Sequence, residues 1–255
     1  MMNFRANYRS IIFFDLDGTL MVNPFESAVW PVVLGEIADK SGQSVETVYS
    51  LIEAENDARQ NANTVAAVLA MDWDDIARTV AERLGVRLES SCEALVRQHA
   101  ASHSSTLENA HEVLSELSTP ERALVVATKG MTKYQQPVLD ALNLTDHFTA
   151  VLTPDTHNGL KKHRHFFGDW PERGMLAIMV GDRYDDDILY PTLHGFKTVW
   201  KLPQTAIASQ VVAEDPLVRA HHYPYSDKQV AHADAIVLSL TELPDVVRRL
   251  EQQFT

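Results

Sequence analysis

From residue 122 onward, short apolar runs alternate with helical patterns, and this alternation restricts the fold more than any other feature of the chain. Residues 123–127, 150–152, 176–180, 198–200 and 235–238 read as strands, with a further one at 11–14. Helices are predicted at 134–142, around 186–194 and at 243–254. Strands and helices in this order build an open, mostly parallel sheet with helices on both faces, a doubly wound α/β fold. The runs LVVA and LAIMV are apolar without interruption, as strands covered on both sides are. Ten glycines in 255 residues, about 4% against a usual ~7%, disfavour a turn-dense all-β fold.

Residues 21–107 have a different character, with several helical stretches and no convincing strand. Asp72 can cap a helix that carries Ile76, Val80 and Leu84 on one face and stops at Gly85. Ser44 can start another through Val45, Val48 and Ile52, and Ser90 or Ser91 a third containing Leu95 and Val96. Pro31 either begins a helix or kinks one that starts near Phe25. About ninety helical residues therefore follow the first strand before the sheet resumes. The expected division is a core of residues 1–20 and 108–255 with an all-helical lobe at 21–107. Residues 203–233 show weak periodicity and contain Pro203, Pro216 and Pro224, so a long loop is expected there.

Composition removes several functions. Thirty-five acidic against 22 basic side chains leave a net charge of −13, unlike the basic face that nucleic-acid binding requires. Cys92 is the sole cysteine, which excludes an intramolecular disulfide and a cysteine-based zinc site. It reads as a buried helix residue, and Trp30 and Trp73 read as packing. No apolar run approaches the ~18 residues of a membrane span, and the 11–14 stretch is too short for a signal peptide. A soluble, cytoplasmic protein is expected.

The strongest local signal is Phe13-Phe14-Asp15-Leu16-Asp17-Gly18-Thr19-Leu20. Ligands of α/β sheets bind beyond the carboxyl ends of strands, where these carboxylates would lie. One carboxylate there can attack phosphorus while a second handles the proton of the leaving group. Gly18 lets backbone N–H groups approach phosphate oxygens. Gly18, Gly130, Gly159 and Gly181 all lie near the candidate side chains, as tight backbone around a phosphate would require.

This segment resembles the first motif of the haloacid dehalogenase (HAD) superfamily, and the resemblance covers most of the chain. Val125-Val126-Ala127-Thr128-Lys129-Gly130 resembles the second motif, Lys161 or Lys162 the lysine of the third, and Met179-Val180-Gly181-Asp182-Arg183-Tyr184-Asp185-Asp186-Asp187 the fourth. The proline that usually follows the lysine is replaced by His163, and the spacing to Phe166–Phe167 favours Lys161. The resemblance implies a Rossmann-like core with a C1-type cap at 21–107 and an aspartyl-phosphate formed on Asp15. It also implies Asp17 as general acid and base, with Thr128 and Lys161 as further catalytic groups. Gly18, Thr19, Lys129 and Gly130 would bind substrate. Mg²⁺ would be held by Asp15, Asp182, Asp187 and the backbone carbonyl of Asp17. Asp186 stands where the family often has asparagine, and Asp185 reads as a solvated helix start.

The implied activity is hydrolysis of a small soluble phosphomonoester by a monomer or homodimer, with no nucleic-acid or membrane partner. The wording of the motifs is similar to the phosphoglycolate phosphatase-like and pyrimidine nucleotidase-like branches. A phosphomutase, a dehalogenase, C–P cleavage or a non-catalytic phosphate-binding module remain as alternatives. A C–halogen hydrolase has no need of Asp17. In the cap, Trp30, Lys40 and Arg59 are candidate leaving-group contacts. The basic run 161–165 is mainly a solvated face, and His163 with His165 makes an incomplete zinc pair.

Overall fold

The computed structural model describes residues 8–62, 66–171, 174–203 and 215–254. Six parallel strands form the main sheet: β1 (Ser10–Phe14), β4 (Arg122–Ala127), β5 (Ala150–Leu152), β6 (Leu176–Gly181), β7 (Lys197–Lys201) and β8 (Ala235–Val237). Their spatial order is β5-β4-β1-β6-β7-β8, so β1 lies at the centre between β4 and β6. Phe14 is in register with Val126 on one side and Val180 on the other. All five residues of β1 are buried, as the uninterrupted apolar run predicts.

The alternate residues of β1 feed two separate cores. Ile12 and Phe14 join the larger one, which includes residues of α6 (Ala110–Leu117), α7 (Thr132–Ala141) and α11 (Leu243–Phe254). Ile11 and Phe13 join the other with Phe166, Phe167 and Phe196, the Phe13 and Phe196 rings stacked at 5.4 Å. This second face carries short elements, α8 (Pro154–His157) and a 3-10 turn (Arg164–Phe167), rather than full helices. Large aromatic side chains supply there the apolar area that a longer helix would otherwise bring.

Residues 21–107 form α1 (Trp30–Ser41), α2 (Val45–Asn61), α3 (Ala66–Leu69), α4 (Trp73–Arg83) and α5 (Cys92–His103). The caps fall where the sequence places them. Ser44 accepts from Thr47 N–H, Asp72 from Asp75 N–H and Ser91 from Ala94 N–H. Val48, Ile52, Ile76, Val80 and Val96 face inward, whereas Val45 is exposed. Pro31 lies in the first turn of α1, directly after a π-helical turn at Phe25–Val29. Start and kink therefore coincide at this one proline.

Three expectations need correction. The helical stretch is bracketed by two short strands, β2 (Met21–Val22) and β3 (Ser105–Thr106), paired antiparallel. Two residues are too few to show a period. The helix expected around 186–194 is a π-helical turn at Tyr184–Leu189 running into α9 (Tyr190–Leu193), with Pro191 in its first turn. Within 203–233 the structure has a helix, α10 (Pro216–His222), capped by Asp215; residues 204–214 lie outside the described residues. Among the described residues no helix is long and apolar enough to cross a membrane.

Candidate functional site

Parallel strands bring their carboxyl ends to one edge, and here β1, β4 and β6 deliver Asp15, Thr128 and Asp182 to it. Asp15 is buried and held by its N–H on the Val180 carbonyl, 2.9 Å away. The chain then turns tightly, with the Leu16 carbonyl accepting from Thr19, Leu20 and Met21. Gly18 takes φ +79°, and a Cβ there would lie 2.5 Å from Asp182 Oδ2. The glycine thus makes room for a second strand's carboxylate. Thr19 is fully buried with its hydroxyl 3.5 Å from Asp182 Oδ1, so it braces that acid instead of facing the cavity.

Lys161 joins the carboxylates. Its buried ammonium donates to Asp15 Oδ1 at 2.7 Å and Asp187 Oδ1 at 2.6 Å. Burial alone would lower its pKa, but the charges of Asp15 and Asp187 outweigh burial and raise it. Lys162 points elsewhere, onto the Gln60 carbonyl at 3.2 Å. Asp187 is fully buried and also accepts from Arg183 N–H at 2.9 Å. Asp186 takes Lys129 at 3.2 Å and Arg183 at 3.3 Å; burial works against its ionisation, but these cations and Lys161 hold its pKa low. Asp185 is exposed.

Carboxylate oxygens of Asp15, Asp182 and Asp187 lie within 4.8 Å of one another. Burial and the charge of Asp15 push Asp182 up to about 6. Around this point Asp15, Asp17, Asp182, Asp186 and Asp187 face only Lys129, Lys161 and Arg183, an excess of two negative charges among the described residues. A crowded set of oxygen donors with that deficit fits a hard divalent cation. The Asp17 carboxylate is not part of this trio.

Asp17 turns the other way. Asn23 donates to its Oδ1 at 2.6 Å and Gln135 to its Oδ2 at 2.8 Å, and burial together with Asp15 raises its pKa to about 6. Thr128 accepts from Gly130 N–H at 3.1 Å, and both line the same cavity as Asp17 and Lys129. At Gly130 the space a Cβ would need is filled by the Gln135 amide, 2.1 Å away. Here too the glycine admits a side chain.

The cavity holds about 520 Å³ between the sheet edge and the helices. Its helical wall includes Phe25, Trp30, Met71 and Trp73, with exposed Glu26, Glu53 and Asp57. Of the three cap candidates only Trp30 lines it. Arg59 is paired with Glu55 and Asp75, and Lys40 with Glu36. Lys133 and Tyr134 of α7 fasten this wall by bonding Asp72 and Asp74 at the start of α4. His163 and His165 stack on each other, their ring nitrogens bonded to the backbone at Leu160 and Asn158. Asn23 and Gln135 escaped the sequence reading, since neither belongs to a motif.

A family model described as haloacid dehalogenase-like hydrolase matches residues 10–189. No curated protein matches the chain. Among solved structures, a HAD phosphatase from Thermococcus onnurineus is similar, with TM-score 0.69, 22% identity, and coverage of 93% of this chain and 97% of that one. YfnB from Bacillus subtilis, solved bound to magnesium, aligns with TM-score 0.60 and 11% identity over 94% and 99% of the two chains. The L-2-haloacid dehalogenase of Xanthobacter autotrophicus, with chloropropionic acid covalently bound, gives 0.59 and 18% over 94% and 98%. At these identities the likeness is one of fold.

Proposed function

The chain belongs to the haloacid dehalogenase-like hydrolases, and from that premise we propose that it hydrolyses a small soluble phosphomonoester through an aspartyl-phosphate on Asp15. The observation that carries this over dehalogenation is Asp17. Its carboxyl lines the cavity, is anchored by two amides and has its pKa pushed to about 6, which suits a group that must give and then take a proton near neutrality. A departing halide needs no proton, so the acid half of this role has no counterpart in a dehalogenase.

In this reading Asp15 attacks phosphorus, the bond to the leaving oxygen breaks, and Asp17 protonates that oxygen. Asp17 then takes a proton from the water that hydrolyses the aspartyl-phosphate. Lys161 balances charge on Asp15, while the Thr128 hydroxyl and Lys129, which line the cavity, would donate to phosphate oxygens. Mg²⁺, held by Asp15, Asp182 and Asp187, would neutralise phosphoryl charge when bound. The helices of 21–107 act as a cap that excludes water and contacts the leaving group, which limits substrates to small molecules. A cytoplasmic metabolite handled by a monomer or homodimer fits that cavity.

The test is phosphate release from a panel of sugar phosphates, nucleotides and phosphoglycolate, with and without Mg²⁺. Asp15→Asn is the blank, and its turnover should be at least about a thousandfold lower, as with loss of a nucleophile. Magnesium-dependent release by the unaltered protein alone supports the reading. Silence across the panel, or activity surviving in the variant, overturns it.

A further inference from the structure

We propose that Gln135 is a positioning residue that aims the Asp17 carboxyl at the leaving oxygen, an inference resting on the general-acid reading of Asp17. Two amides grip the two oxygens of Asp17. Asn23, six residues further along the chain, holds Oδ1 at 2.6 Å, with its own Oδ1 engaged by Phe25 N–H at 2.9 Å. It therefore moves with the turn that carries Asp17. Gln135 holds Oδ2 at 2.8 Å and comes from α7, 118 residues away, so it fixes the carboxyl relative to the loop after β4 that carries Thr128 and Gly130. With an N–H donor already on each oxygen, a proton on Asp17 finds no acceptor in either amide and is left to the cavity that Asp17 lines.

Two features show that packing alone does not account for this glutamine. Its Oε1 is buried with no hydrogen-bond partner, an arrangement that costs stability. Against the ionised carboxylate, reversing the amide offers no relief, because Oε1 would then oppose a carboxylate oxygen. The chain also keeps glycine at position 130, where a Cβ would come within 2.1 Å of the Gln135 amide nitrogen. A buried, half-satisfied side chain with space cleared for it is what a functional constraint leaves behind.

The measurement is kcat/KM, which reports the steps through departure of the alcohol, on two phosphomonoesters. One is 4-nitrophenyl phosphate, whose leaving group departs without a proton. The other is glycerol phosphate, or the best alkyl phosphate of the panel, which needs one. Gln135→Met keeps the volume and removes the orphaned oxygen. It should lower the alkyl value by about ten- to hundredfold and leave the nitrophenyl value within about threefold. Its melting temperature should be unchanged or higher. Asp17→Asn should show a larger bias. Equal loss on both substrates with a lowered melting temperature, or no loss at all, overturns the role of Gln135 while Asp17→Asn still shows the bias. If Asp17→Asn shows no bias, the general-acid reading itself fails.

Discussion

The two walls of the cavity are built on different principles. On the sheet side, Asp15, Asp17, Lys129 and Asp182 have hydrogen-bond or ionic partners at 2.6 to 3.5 Å, supplied by the loops and turns beyond the strands and by α7. On the helical side an aromatic cluster of Phe25, Trp30 and Trp73, with ring centroids 5.3 to 6.4 Å apart, is flanked by the acids Glu26, Glu53 and Asp57. Trp30 belongs at once to the apolar core and to the cavity lining. The contrast teaches that the sheet wall is fixed by a polar network of paired charges, whereas the aromatic part of the helical wall is fixed by packing that it shares with the core.

Removing Lys161 should break the polar wall most severely. Lys161→Ala leaves Asp15 and Asp187 buried without their cation, a loss of about 3–5 kcal/mol by thermal or denaturant unfolding. Lys162→Ala removes one bond to a backbone carbonyl and should cost under about 1 kcal/mol. Similar costs for the two would show that the network is not what sets the sheet wall apart.

Proton linkage gives the next effect. Asp17 and Asp182 titrate near 6 in the folded chain against 3.8 ordinarily, so the native state holds protons that the unfolded chain has released between those values. Their contribution to the stability of the metal-free protein is therefore present below about 4 and lost as pH rises through about 6. Carboxyls with lowered pKa elsewhere, such as Glu36 and Glu55, slope the other way. The informative quantity is thus the difference between the unaltered protein and Asp182→Asn, which should flatten this part of the profile. Titration calorimetry should find divalent-cation affinity rising with pH up to about 7, because burial raises Asp182 to about 6 and Asp187 to about 7 and both must ionise to bind, and levelling above it. A pH-independent affinity would remove both Asp182 and Asp187 from the site.

The helical wall should respond through KM. Lys133→Ala cuts the ties from α7 to Asp72 and Asp74, and a cost of about 1 kcal/mol with a raised KM is expected. kcat/KM should fall alike for good and poor leaving groups, in contrast to Gln135→Met. Lys40→Ala, at an exposed pair with Glu36 far from the cavity, should leave KM unchanged. A change there would extend the functional wall beyond the residues that line it.

The positions of the main-sheet strands and most helix starts were readable because apolar runs and capping side chains are local signals. The gathering of Asp15, Thr128 and Asp182 followed from the rule that parallel strands end on one edge. Phe166 and Phe167 pointed to Lys161 over Lys162 because they anchor the turn after it. What stayed hidden acts across sequence distance or against expectation. Gln135 looks like any polar residue of an amphipathic helix until α7 is placed beside the β1 turn. Thr19 sits within a motif, yet its hydroxyl faces an acid. Gly18 and Gly130 were expected to bring backbone close to phosphate, and the structure fills their missing side chains with Asp182 and Gln135.

The ribbon of Met21–Val22 against Ser105–Thr106 also bears on how such a chain can be rebuilt. Because the polypeptide leaves the sheet region and returns to it on adjacent strands, a few turn residues joining Val22 to Ser105 would close an ordinary hairpin. In connectivity, then, the helices are a removable module that could be exchanged for another of different size. In wetting they are not. Val29, Trp30 and Val33 share one continuous apolar cluster with Phe14, Tyr134 and Val138, so excision would lay bare a greasy floor around the carboxyl edge of the sheet. A transplanted replacement would have to arrive with its own oil-facing surface matched to that floor.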